Sequence, residues 1–337
     1  MFKSLVCKAS LFSVVLAGSL AAQAEPKEIT YLLPAPPNLP AFAPWVIAQH
    51  KGYYAEQNLK VTFIAGKGGV DVAKQIGAGN ALVGGAIGDT PIIVRANGVP
   101  VKAVAVLGAN GVTMIAADAQ AGINSVRDLK GRTMTVMSYS DTTYYALLAS
   151  MRKAGLNKND IDVQAAGPSG VWQLFSAGKS QAMAAVPDWV VNAEEAGQSV
   201  KLLPQNEVFA SMAQAILASD EAIEKQPDVV NGVVKATLMG MRDIIADPKQ
   251  AAVTFAEAVP SYQGKEASLE KIFRLYVEHV YANQQPLGRI DPQRLDNVRK
   301  FYVSEGIVNR ETPLDDLYTN RFVESDDAAA KQAAAKQ

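Results

Sequence analysis

Side chains that carry covalent or acid–base chemistry are scarce in this sequence. Its two histidines, His50 and His279, stand far apart, with no cluster of potential ligands around either. Imidazole is the usual general base and metal ligand near neutral pH, so neither an acid–base centre nor a metal site is expected. The only cysteine is Cys7, close to the N-terminus. No Gly-x-Ser-x-Gly elbow mounts a serine nucleophile. Gly66-Lys67-Gly68-Gly69 follows a predicted strand and precedes a predicted helix, a context in which backbone N–H groups can hold an anion. It lacks the Gly-Lys-Ser/Thr of a triphosphate loop, and Val70 and Asp71 stand where a dinucleotide fingerprint needs glycine. The loop suits close approach of a ligand to the backbone, and no cofactor is expected.

What the sequence does offer is non-covalent recognition. Six segments each follow a predicted strand: 34–45, 66–71, 88–91, 138–145, 167–172 and 187–189. In open α/β sheets ligands bind at the carboxyl ends of strands, where loops and helix N-termini converge. The segments supply aromatic faces, hydroxyls and carboxylates, and they hold all three tryptophans of the chain. The candidate ligand-binding residues are Asn38, Phe42, Trp45, Gly68, Gly69, Asp89, Thr90, Ser138, Ser140, Asp141, Thr142, Thr143, Trp172, Asp188 and Trp189. Taken singly, an aromatic fills a core and an Asp or Ser caps a helix. Six such loops on one edge are better explained by a small-molecule site.

Alternating strand and helix patterns position these loops. Strands are expected at 29–33, 59–65, 82–87 and 101–107, and again at 133–137, 161–165, 182–186 and 200–203, with helices between them. Two β-α-β runs imply two lobes of parallel sheet covered by helices. The apolar stretches 112–117 and 213–218 are expected to be paired strands where the chain crosses between lobes. The first lobe then comprises 25–116 and 213–323, and the second 117–212. Beyond residue 220 apolar residues recur at helical spacing, as in Val230, Val234, Leu238, Met241 and Ile245, and this section is expected to return over the first lobe.

The ends and the composition narrow the setting. Lys3 and Lys8, an apolar run over 9–20 and Ala22-Gln23-Ala24 follow the order of a secretory signal. The apolar run is shorter than the ~20 residues of a spanning helix. Cleavage after Ala24 would remove Cys7 and export the remainder to the periplasm, free of disulfides. The mature chain is expected not to span a membrane. The formal net charge is −1, and basic residues are dispersed, which excludes the positive stripe of a nucleic-acid binder. The tail 324–337 is low in complexity and is expected to be flexible.

The segment AFAPWVIAQHKGYYAEQNLKVTFIAGKGGVDVAKQIGAGNALVGGAIGDTPIIVRANGVPVKAVA, residues 41–105, resembles the first lobe of solute-binding proteins for sulfonates, taurine, nitrate and thiamine pyrimidines. INSVRDLKGRTMTV (123–136), GLNKNDIDV (155–163) and PDVVNGVVKATLMGMRDIIADPKQA (227–251) fit the same group, so the resemblance covers nearly the whole mature chain. One departure is Gly178 to Ala182, where the group commonly carries an acidic residue before alanine. The resemblance implies a type II periplasmic-binding-protein fold, two α/β lobes joined by two crossover strands. It implies a monomer that delivers a small-molecule ligand to an ABC permease and ATPase. Related pyrimidine-making enzymes rely on a cysteine-rich segment that is lacking here, so enzymatic activity is not expected. The six loops contain no arginine, and Lys67 is their only lysine. That favours a neutral or N–H-bearing solute such as a pyrimidine-like heterocycle. A sulfonate, nitrate or aromatic carboxylate held by helix N-termini is the alternative, and a periplasmic enzyme on a small metabolite is the alternative class.

Overall fold

Two five-stranded sheets form the frame of the computed structural model, which describes residues 25–323. The expected export signal, Cys7 and the expected flexible tail lie outside the described residues. The first sheet contains β1 (Lys27–Leu33), β2 (Leu59–Ala65), β3 (Val83–Ile87), β4 (Val101–Val106) and β10 (Gln214–Ser219), in the order β2-β1-β3-β10-β4. The second contains β5 (Met114–Asp118), β6 (Thr133–Val136), β7 (Asp162–Ala165), β8 (Ala182–Ala185) and β9 (Val200–Leu202), in the order β7-β6-β8-β5-β9. β1, β2 and β3 run parallel, as do β6, β7 and β8. Each sheet then takes one antiparallel strand, β10 in the first and β5 in the second.

The crossing differs from its sequence-based expectation. The stretches 112–117 and 213–218 do not pair with each other as strands. β5 satisfies its backbone against β8 and β9, and β10 does so against β3 and β4. An apolar strand buried on both faces needs hydrogen-bonding neighbours on both edges, and its own sheet supplies them. The crossing residues are irregular and touch locally: Leu107 N–H donates to the Gln214 carbonyl over 2.6 Å. Gly111 lies so close to Ser211 that a Cβ there would come within 2.9 Å of the Ser211 carbonyl oxygen.

The C-terminal section is helical, as its periodicity requires, over Pro227–Ala246, Pro248–Ala258, Glu266–Tyr276 and Pro292–Ser304. The Pro227–Ala246 helix packs on Ala43–His50, and Gly240 makes the approach possible, since a Cβ at that position would sit 2.1 Å from the Pro44 carbonyl oxygen. Coverage is not confined to the first sheet's layers. Glu266–Tyr276 also packs against Pro187–Glu195, a helix of the second. One apolar cluster accordingly runs from Trp45 and Ile87 to Phe175 and Trp189, joining both lobes, while a separate cluster around Ile115, Leu147 and Met151 belongs to the second lobe alone.

Candidate ligand cleft

Where the two sheets' carboxyl edges face each other lies a narrow cavity of about 60 Å³, a slot that must widen to take a small organic molecule. Its first wall carries Leu39, Phe42, Trp45, Gly69 and Ile87, and the opposite wall Met137, Asp141, Thr143, Val186, Asp188 and Trp189. Val112 and Gln214, from the two crossings, line it as well. No lysine, arginine or histidine lines it.

Local sequence explains how these groups are held. Pro40–Phe42 forms a 3₁₀ turn that runs into the Ala43–His50 helix, with Pro44 tolerated in the first turn because no intrahelical partner is needed there. Phe42 and Trp45 meet edge to face with ring centroids 6.1 Å apart, a favoured aromatic geometry. Asp141 caps the Thr142–Lys153 helix, accepting from Thr143 N at 2.8 Å and from the Thr143 hydroxyl. Asp188 lies in the first turn of Pro187–Glu195. Two of the helix N-termini that meet the cavity therefore bring a carboxylate of their own, which offsets the positive end of the helix dipole.

Burial pushes the Asp188 carboxyl up to about 7, although the Tyr276 hydroxyl, donating to Oδ1 over 3.3 Å, favours its ionised form. Burial likewise raises Asp141 above its ordinary value, opposed by the hydrogen bonds from Thr143. Trp45 Nε1 and Gln214 Oε1 are buried without a hydrogen-bond partner. The chemistry available is thus apolar and aromatic contact, two carboxyls, an indole N–H and a carboxamide.

Of the residues singled out from sequence, Phe42, Trp45, Gly69, Asp141, Thr143, Asp188 and Trp189 line the cavity. Gly68, Ser138 and Ser140 instead close one side of the cleft. The Ser140 hydroxyl donates to the Lys67 carbonyl across the lobes over 3.3 Å, and Ser138 Oγ lies 3.2 Å from Ser140 Oγ. Asp89 and Thr90 are buried outside the cavity wall, with Asp89 bonded to Tyr302. Asn38 is exposed on a turn, and Trp172 is half-buried on the Gly167–Ser176 helix; neither lines the cavity. Thr142 is the first residue of its helix.

Sequence reasoning missed Met137 and Val186, each directly after a strand and one residue short of a chosen loop. It also missed Val112 and Gln214. Gln214 had a signal, being the polar head of an otherwise apolar strand, QAILAS. Neither histidine lies in the cavity: His50 ends the Ala43–His50 helix beside Glu257, at 3.6 Å, and His279 is exposed. No group of three or more metal-ligating side chains occurs among the described residues, and no helix among them is long and apolar enough to cross a membrane.

Comparison with known proteins places this geometry in a family. Residues 39–251 match the family described as NMT1/THI5 like. The riboflavin-binding protein RibY of Chloroflexus aurantiacus is 26% identical over 309 residues, covering 90% of this chain and 88% of that protein. The 4-amino-5-hydroxymethyl-2-methylpyrimidine phosphate synthase of Legionella pneumophila is 23% identical over 290 residues, covering 84% of this chain and 89% of that enzyme. Among solved structures, the alkanesulfonate-binding protein SsuA of Xanthomonas axonopodis pv. citri superposes with a TM-score of 0.71 at 18% identity, covering 88% of this chain and 99% of SsuA. The overall fold is shared with SsuA, and the chain, a type II periplasmic-binding-protein fold, belongs to the NMT1/THI5 like family.

Proposed function

We propose that the protein is the extracytoplasmic solute-binding component of an ABC importer, exported by its N-terminal segment, working as a monomer and capturing a small organic solute without transforming it. The carrying observation is the cavity itself, a largely apolar slot between two lobes with carboxyls on its wall and no cationic side chain. A solute bridging both walls gains contacts that exist only with the lobes together, which shifts the population toward the closed form. Closure then presents a surface that a permease can distinguish.

The solute that fits is flat and uncharged or N–H-bearing, such as a pyrimidine-like heterocycle. Asp141 and Asp188 accept its N–H groups, and Phe42, Trp45 and Trp189 pack against its faces. A sulfonate would find no cation to pair it and would meet either a repulsion of about 4 kcal/mol per close ionised carboxyl at an intermediate dielectric or the cost of keeping Asp141 and Asp188 protonated. The names of the relatives run the same way, one a riboflavin-binding protein and one a pyrimidine phosphate synthase. The resemblance to a synthase is met by the absence of any histidine from the cavity and of any cysteine after residue 7.

Isothermal titration of the mature protein with riboflavin, uracil, cytosine, taurine, an alkanesulfonate and nitrate tests the reading. Binding of a heterocycle, with recovery of the unchanged compound after incubation, is expected. Tight binding of taurine or alkanesulfonate with none for the heterocycles would overturn the solute class, and turnover of any compound would overturn the binding-only role.

A further inference from the structure

Two polar groups in the cavity wall have hydrogen-bonding capacity that the protein leaves unused. Gln214 stands at the head of β10, where the returning crossing joins the first sheet opposite Ile87. Its main chain is committed, since its carbonyl accepts from Leu107 N–H at 2.6 Å, which fixes where the side chain starts. Its Oε1 is nevertheless buried with no partner while the residue lines the cavity. Trp45 is fully buried on the first wall, and its Nε1–H, a donor only, makes no well-formed hydrogen bond, with the Tyr31 hydroxyl the acceptor beside it. Other buried polar side-chain atoms among the described residues also lack partners, Thr113 and Ser176 for example, but only Gln214 and Trp45 carry such an atom on a residue that lines the cavity.

A carboxamide presents an acceptor and a donor side by side in one plane. Its complement is a planar edge with an N–H next to an acceptor, the geometry by which amide side chains pair twice with adenine. Charged alternatives fit poorly, because a carboxylate or sulfonate offers no donor to Oε1 and the wall offers it no cation.

We propose that Gln214 is the specificity-determining residue of the cleft, and that it reads a lactam or amidine edge of a flat, uncharged heterocycle while the Trp45 indole N–H donates to a second acceptor on the same ring. This rests on the solute-binding function proposed for the cleft and adds which edge of the solute is recognised and by what. A position on the returning crossing also couples recognition to the junction of the lobes, since Gln214 is hydrogen-bonded through its backbone to the outgoing crossing at Leu107.

The test pairs probes that differ only at that edge. Riboflavin is compared with N3-methylriboflavin, and uracil with 1,3-dimethyluracil, by isothermal titration of the mature protein and of Gln214→Leu. Methylation is expected to weaken binding about ten- to hundredfold in the wild type, the range for losing one well-formed double hydrogen bond. Gln214→Leu is expected to weaken the parent compound similarly and to bind parent and methylated forms alike. Equal affinity of the wild type for parent and methylated forms overturns the inference and leaves the solute-binding function standing. So does a Gln214→Leu protein that still discriminates. Binding of neither parent compound, with a sulfonate bound instead, overturns both. Should Gln214→Leu not fold, the comparison of probes on the wild type decides alone.

Discussion

Tyr302 donates its phenolic hydrogen to Asp89 Oδ2 over 2.9 Å, with both residues fully buried and 213 positions apart. The bond ties the Pro292–Ser304 helix to the end of β3. Asp89 Oδ1 has no side-chain partner, so the tyrosine makes the carboxyl's side-chain hydrogen bond, supported by the charge of Arg294 nearby. Tyr302→Phe is expected to destabilise the protein by about 1–3 kcal/mol, the cost of stranding a buried acceptor. Solute affinity should change by less than about threefold, since no contact to the cavity is lost and 1.4 kcal/mol corresponds to tenfold. Chemical denaturation and titration calorimetry of the variant check the two halves separately.

Acidity should act on stability and on binding in opposite directions. Burial raises Asp89 and Asp188 from 3.8 to about 7, so between those values the folded protein holds protons that the unfolded chain has released. Stability is therefore expected to fall as pH rises from about 4 toward 7 and to level off above it. Exposed carboxylates held low, such as Asp128 and Asp160, oppose this only in more acidic solution. Binding runs the other way. An ionised Asp188 accepts a ligand N–H better than a neutral one, so affinity should rise between about pH 6 and pH 8 as the group titrates near 7. Asp188→Asn should flatten the binding profile and lessen the stability slope, of which Asp89 keeps its share, and titration and thermal unfolding across that range would reveal both.

Two ion pairs join C-terminal elements to helices of the second lobe: Arg152 with Glu305 at 2.6 Å, and Lys271 with Glu194 at 2.5 Å. Both are partly exposed, so each contributes modestly, about 0.2–1 kcal/mol. They exist only while the lobes are together. Raising salt, or combining Glu305→Gln with Glu194→Gln, is expected to enlarge the radius of gyration of the unliganded protein in small-angle scattering. Solute affinity should weaken by a few-fold. An unchanged scattering profile and unchanged affinity would show that the pairs do not hold the closed form.

Close helix packing gives a fourth test. Gly240→Val would push a branched side chain into the Pro44 carbonyl, already 2.1 Å from an added Cβ. The Ala43–His50 helix must move, at a cost of about 1–3 kcal/mol or more. Because that helix carries Trp45, solute affinity should drop along with the melting temperature, unlike the outcome for Tyr302→Phe.

These contrasts show what could be read from sequence. Strand periodicity located β2 at Leu59–Ala65 and kept every other strand within a few residues of its expected place, because alternation and apolar runs are local signals. The rule that ligands meet strand ends picked out Phe42, Trp45, Asp141 and Asp188, which line the cavity. It could not separate Asp89 from Asp188, since both follow a strand and cap or open a helix. Each accepts from a buried tyrosine far along the chain, Tyr302 for Asp89 and Tyr276 for Asp188, so which of them meets the cavity is settled only by the completed packing. The crossings were misread for a similar reason. An apolar hexapeptide declares that it is a strand, and only the completed sheets decide its neighbours. Gln214 escaped notice because a single polar residue at the head of such a strand looks like a boundary.

The insertion of β10 between β3 and β4 has a consequence for biogenesis. β5 through β9 come from one uninterrupted stretch of 114–202 and can assemble as soon as that stretch is free. β3 and β4 share no edge until residues 214–219 arrive to bridge them. During vectorial emergence the later-made sheet therefore closes first, and the earlier half waits with its apolar edges open. A helper that shields unfinished chains would be needed longest by the half that was synthesised first.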